Sequence, residues 1–178
     1  MPAFCPLSSA TLMTVALSCW RFDTSHPVEP NRMAKDNRDI MCVRKNGSTV
    51  AILSLGPRLA EAMKAAEELA ARGISATVAD ARFAKPMDTA LIELLARKHE
   101  VLVTIEEGSA GGFGSAVMQH LAWAGLLDGQ TKIRPMVLPD RFVDHDSPAK
   151  QMIEVGLTAK DIVATVTGAL TKQEAARA

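Results

Sequence analysis

The sequence predicts an α/β domain of three layers: a mostly parallel sheet of about five strands between helices, with one antiparallel strand at an edge. Three observations predict it. From Ile40 onward, short apolar runs alternate regularly with segments of helical period. The run Val101, Leu102, Val103 and Ile105 leaves almost no polar face, which suits a strand buried on both sides of a parallel sheet. Glycines and prolines stand at the junctions between runs. Strands that alternate with helices join by right-handed crossovers, so helices should cover both faces.

The elements follow in order. Ile40 to Arg44 and Thr49 to Ser54 flank Asn46-Gly47, a hairpin signal that supplies the antiparallel edge strand. Leu55-Gly56-Pro57 opens a helix with Leu59, Met63, Ala66 and Ala70 on one stripe, and Arg72-Gly73 closes it. Ile74 to Asp80 is the next strand. Pro86 and Asp88 start a second helix with Leu91, Leu94 and Leu95 inward. Val101 to Ile105 leads through a glycine turn into a helix bearing Val117, Leu121 and Ala124. Ile133 to Val137 is a strand in which Pro135 marks an edge or an irregularity. Ser147-Pro148 starts a short helix, Gly156 ends it, and Thr158 caps the last one.

The 178 residues suffice for one buried core, and the equal numbers of basic and acidic residues give no net charge. No basic stripe points to nucleic acid. Aromatic residues are scarce and tyrosine is absent, which excludes stacking platforms. Cys5, Cys19 and Cys42 are scattered, with no C-x-x-C, as in a reducing cytoplasm. Residues 1–37 carry four prolines and no sustained period, and read as an irregular leader. The apolar run Ala10 to Trp20 within it has no basic residue before it and is too short to span a bilayer, which argues against export and against a membrane anchor. The organised domain is placed at 38–171, with a tail at 172–178.

Three stretches hold the candidate chemistry. In the first, Glu106 and Glu107 precede a turn containing Gly108, Gly111, Gly112 and Gly114. Glycines there let the backbone approach a ligand or another protein surface. The spacing is neither G-x-G-x-x-G nor a P-loop, and two acids repel a phosphate, so close packing is expected. The second is Leu138 to Pro148, at the carboxyl edge where open α/β sheets bind ligands. Its Asp140, Asp144, His145 and Asp146 do not space three ligands around one ion. Turn and cap hydrogen bonds are expected of Asp144 or Asp146, an ion pair of Arg141, and of His145, as a lone histidine, a structural hydrogen bond more often than a catalytic role. The third is Asp80 with Arg82, at the same edge as Glu106 and Arg141, which suggests one charge network. No motif for a nucleophile or a metalloprotease is present.

These stretches read TVAILSLGPRLAEAMKAAEELAARGISATVADARFAKPMD, VLVTIEEGSAGGFGSAV and LPDRFVDHDSP. From about Ile40 to Leu170 they resemble, in register, the C-terminal domain of 1-deoxy-D-xylulose-5-phosphate synthases, thiamine-diphosphate enzymes of the transketolase superfamily. The beta subunits of 2-oxo-acid dehydrogenases share the general pattern. The wording Asp80-Ala81-Arg82-Phe83 and Pro139-Asp140-Arg141-Phe142 leans toward the synthase. The resemblance implies a transferase family that condenses pyruvate with glyceraldehyde 3-phosphate for isoprenoid and thiamine biosynthesis. It also implies that thiamine diphosphate, magnesium and the catalytic residues belong to domains whose motifs do not occur here. The chain alone is then expected to bind no cofactor and to be inactive. A stand-alone small-molecule or anion-binding module is the alternative from a different class, and the tail of a 2-oxo-acid dehydrogenase beta subunit is a further one. On the synthase reading the domain's expected partner is a pyrimidine-binding domain or a second chain. The surface around Asp80, Arg82, Glu106, Glu107, Gly111, Gly112, Gly114, Arg141 and His145 is expected to dock there or to form a homodimer. On that reading Gly112→Val weakens association with little loss of the monomer fold, provided that the backbone torsion angles of Gly112 tolerate a side chain.

Overall fold

The computed structural model describes residues 40–128 and 131–177, with side chains to residue 171. The expected leader lies outside the described residues. The elements are β1 (Cys42–Lys45), β2 (Val50–Ser54), a 3-10 turn (Gly56–Arg58), α1 (Leu59–Ala71), β3 (Ala76–Asp80) and α2 (Thr89–Lys98). They continue with β4 (Val101–Ser109), α3 (Phe113–Trp123), β5 (Lys132–Leu138), α4 (Pro148–Glu154) and α5 (Ala159–Arg177). The last helix thus runs on into the stretch placed as a tail.

The five strands lie in the order β1-β3-β2-β4-β5. All neighbours pair in parallel except β1, which runs antiparallel along β3 at the edge. Because successive strand side chains point to opposite faces, the apolar runs split cleanly into two cores. Val50, Ile52, Val78, Val103 and Ile105 pack beneath α1 and α5. Ala51, Leu53, Ala79 and Leu102 pack beneath α2 and α3, against Ile92, Leu95, Phe113, Val117 and Leu121. The expected three-layer α/β fold is the observed one.

The antiparallel edge strand is present, but it is not half of a hairpin. Both edges of β2 are already taken, Val50 pairing with Ala76 on one side and Val101 on the other. A hairpin needs a free edge, and β2 has none. The Asn46-Gly47 segment instead crosses the start of β3, where Gly47 N donates to Thr77 Oγ1 at 2.9 Å. A Cβ on Gly47 would stand 2.3 Å from the Ala76 carbonyl carbon, so only glycine allows this crossing. Buried His99 completes the junction, with Nε2 2.8 Å from Thr77 Oγ1 and Nδ1 2.9 Å from Leu95 O.

Two helical stripes also shift. The buried face of α1 is Ala62, Ala65, Ala66 and Leu69, while Ala70 is exposed. In α2, Ile92, Leu95 and Ala96 are buried, and Leu91 and Leu94 only partly. Small residues on α1 let α5 come close enough for one helix to cap the other. Glu61 of α1 accepts from Ala159 N at 3.0 Å, satisfying an amide at the start of α5. Lys64 bonds the same carboxylate at 2.7 Å. That bond first, and the Ala159 amide second, hold the Glu61 carboxyl below its ordinary value.

The cap expected at Asp88 is present, whereas Ser147 makes no side-chain cap at the start of α4 and the Thr158 hydroxyl donates to Asp161 Oδ2 instead of accepting a helix amide. The Asp88 side chain accepts from Leu91 N at 3.0 Å at the start of α2. Thr158 N donates to Asp161 Oδ2 at 3.0 Å at the start of α5. Pro135 sits on β5, an edge strand, and there it removes no interior ladder bond. No helix among the described residues is long and apolar enough to cross a membrane.

Candidate functional site

β4 extends four residues beyond the expected Ile105 and leaves register with β5 on the way. Ile105 pairs with Met136, but Ser109 pairs with Leu138, so four steps on β4 match two on β5. Glu106 lies in this irregular stretch, on the α3 face of the strand with Leu102 and Thr104. It is 5% exposed. Its Oε1 accepts from Gly114 N at 2.8 Å and its Oε2 from Phe113 N at 3.0 Å. First-turn amides have no partner inside their own helix and carry the positive end of its dipole. The chain has placed its own carboxylate where an anion would bind.

The glycines make room for that carboxylate. A Cβ on Gly112 would lie 2.5 Å from Glu106 Oε2, and one on Gly108 would lie 2.8 Å from the same atom. On Gly114 it would meet Thr104 Oγ1 at 2.6 Å and Pro135 Cβ at 3.3 Å. The expectation that Gly112→Val spares the fold is therefore corrected: its side chain would fall on Glu106 inside the same domain. Gly111 is different. It is exposed, has φ of 101°, and nothing lies where its side chain would go.

The remaining site residues do not converge on Glu106. Glu107 is exposed, and its Oε1 lies 2.6 Å from Arg58 Nε, an ion pair with the Nε hydrogen off the line to the oxygen. Asp80 takes Arg44 at 3.0 Å and the Arg82 amide at 3.1 Å. The side-chain hydrogen bond to Asp80 is the main cause that raises the Arg44 guanidinium above its ordinary value. Arg141 pairs with Glu154 at 2.8 Å, the ion pair expected of it. Asp146 accepts from Ser147 N at 2.6 Å and faces Lys150 at 3.2 Å, while His145 is exposed in the same loop. Asp80, Glu106 and Arg141 bind Arg44, the first amides of α3 and Glu154 respectively, rather than one another.

Four residues gain importance that the sequence did not give them. Thr104 Oγ1 is buried beside the glycine turn with no hydrogen-bond partner among the described residues. Arg58 anchors Glu107. Phe83 and Phe142, at the carboxyl edge, are 56% and 101% exposed. A usable signal existed for Glu106 itself. It has the inward parity of β4 and is followed by glycines two, six and eight residues on, the pattern of a strand-end acid that caps the next helix. Among the described residues, no three His, Cys, Asp or Glu side chains are grouped to hold a metal.

Comparison with known proteins places this arrangement. Residues 40–162 match the family described as Transketolase, C-terminal domain. A solved structure titled "Split gene transketolase, inactive beta4 tetramer" is similar, at 38% identity and a TM-score of 0.67 over 74% of this chain. The chain spans 42% of the length of that protein. The match covers the sheet, the plugged glycine turn and the start of α5, and on that extent the chain belongs to the transketolase C-terminal domain family.

Proposed function

We propose that the chain is the C-terminal assembly domain of a 1-deoxy-D-xylulose-5-phosphate synthase of the cytoplasm, which docks on a pyrimidine-binding domain and supplies no catalytic group. The observation that carries the reading is the filled turn. Thiamine-diphosphate enzymes need a diphosphate cradle, and the glycine turn seen here holds Glu106 in place of a phosphate. The residues present do not fit that cofactor, and no step of the reaction is assigned to them. A stand-alone anion-binding module fits less well for the same reason. The wording around Arg82 and Arg141 supports the synthase. A separately encoded chain of a transketolase is the second reading, favoured by the 38% identity to the split-gene protein.

Adding the purified chain to a synthase that lacks its C-terminal domain tests the proposal. The expected result is formation of 1-deoxyxylulose 5-phosphate from pyruvate and glyceraldehyde 3-phosphate only when both are present. Ketol transfer restored in a truncated transketolase, with no synthase activity, would select the second reading. Micromolar binding of thiamine diphosphate by the isolated chain in calorimetry would overturn both.

A further inference from the structure

Asn46-Gly47 makes no hairpin, yet the pair carries a chemistry of its own. Of the chain's three asparagines, Asn46 is the one followed by glycine. An asparagine side-chain amide is open to attack by the backbone nitrogen of the next residue. Glycine, with no side chain, hinders that attack least. The Gly47 nitrogen bonds to the Asn46 side-chain carbonyl carbon, its proton passes to the departing nitrogen, and ammonia leaves a five-membered succinimide. Water then opens the ring at one carbonyl or the other. One opening gives aspartate, and the other gives isoaspartate, whose main chain runs through the former side chain.

In the folded chain the attacking nitrogen is engaged. Asn46 is exposed, but Gly47 N donates to Thr77 Oγ1 at 2.9 Å, and Thr77 Oγ1 donates back to Gly47 O at 3.0 Å. One buried hydroxyl thus holds the peptide groups on both sides of Gly47. His99 Nε2, 2.8 Å from the same oxygen, fixes its position. The flanks are held as well. Lys45 Nζ donates to Ala66 O at 3.0 Å, and Ser48 N donates to Ser75 Oγ at 3.2 Å. Gly47 lies so close to the Ala76 backbone that its peptide has no space to turn toward the Asn46 side chain in place.

We propose that Asn46 is a modification site, a latent point of deamidation that Thr77 and His99 keep shut while β1 is docked on β3. Only molecules in which this crossing has lifted can react, so the rate is that of a free peptide multiplied by the open fraction. The change does not reverse. Isoaspartate lengthens the main chain by one carbon, about 1.5 Å, immediately before the residue that has no slack against Ala76. The crossing then cannot close, and β1 loses its anchor at the Lys45 end. β3 is left with an unpaired edge, a template for association with another chain. A brief local opening is in this way converted into a permanent mark.

Incubating the full chain in mildly alkaline buffer and mapping ammonia loss by peptide mass spectrometry tests it, with the peptide RKNGSTV as reference. Asn46 in the folded chain should react at least about a hundredfold more slowly than in the peptide. Reaction at the peptide rate overturns the proposal. Thr77→Val keeps the shape, removes both bonds to Gly47, and should speed the reaction at least about tenfold. A folded Thr77→Val chain that reacts no faster also overturns it. If that variant does not fold, urea decides with the unaltered chain. The rate should rise well below the unfolding midpoint, and a rate that rises only with global unfolding would remove the local gate. The isoaspartate form, once separated, should lose hydrogen-exchange protection from Cys42 to Lys45, whereas Asn46→Asp, which adds the charge alone, should keep it. Protection retained in the isoaspartate form would refute the claim that the crossing cannot close.

Discussion

The turn that leaves β4 and the loop that leaves β5 start from neighbouring strands and end in opposite states. In the first, a buried carboxylate is closed in by two amides and three glycines. In the second, a phenylalanine stands in solvent beside an exposed ion pair. The difference teaches where this domain stores stability and where it keeps a surface. Buried hydrogen bonds to a charged group contribute several times what an exposed ion pair does. Substitutions in the closed turn should therefore act on folding, and substitutions in the open loop on association.

The largest effect is expected at Gly112. Gly112→Val drives a side chain onto Glu106 Oε2 and strips the carboxylate of its amides, at a cost of about 3–5 kcal/mol in urea unfolding. A loss below about 1 kcal/mol would mean that the turn is not closed as described. Next comes Glu106→Gln, which keeps the shape but sets an amide nitrogen against one of the two donors. It should cost about 2 kcal/mol. Glu106→Ala should cost more and be partly rescued by formate, which fits the vacated carboxylate position. Absence of any rescue would show that the helix start does not act as an anion site.

A smaller effect with a distinctive pH signature belongs to Glu61. Its carboxyl is depressed in the folded state, so its contribution is present above the ordinary glutamate range and is lost as pH falls through the lowered value. Glu61→Ala should cost about 1 kcal/mol at neutral pH, as loss of a helix cap does. That difference should shrink in acid, and a pH-independent difference would assign the effect to packing. The smallest effect is on the open side. Phe142→Ser should change monomer stability by no more than about 0.5 kcal/mol. A loss comparable to that of Glu106→Gln would erase the contrast between the two regions.

Much of this was legible from local pattern. Asp88 caps the helix that follows it, and at the start of α5 the Asp161 carboxylate accepts from the Thr158 amide, because such bonds are decided within three or four residues. The apolar run of β4 reads correctly as a strand between two helical layers, because both parities are apolar. Asn46-Gly47 misleads because a turn signal states that the chain bends, and says nothing about which edge is free to receive it. The glycine cluster misleads in a similar way. It shows that something approaches the backbone closely, and leaves open whether that is a ligand, another protein or the chain's own Glu106.

By itself the sequence determined the alternation of elements, the two-sided burial of the central strands and the cap at Asp88. Each rests on period or on contacts a few residues long. Only the tertiary structure decided that β1 pairs with β3, that Glu61 caps a helix starting at Ala159, and that the carboxyl-edge charges separate into local pairs. Those outcomes depend on which surfaces meet once the sheet is assembled. A hydrogen bond between groups 98 residues apart leaves no trace in the residues beside either of them.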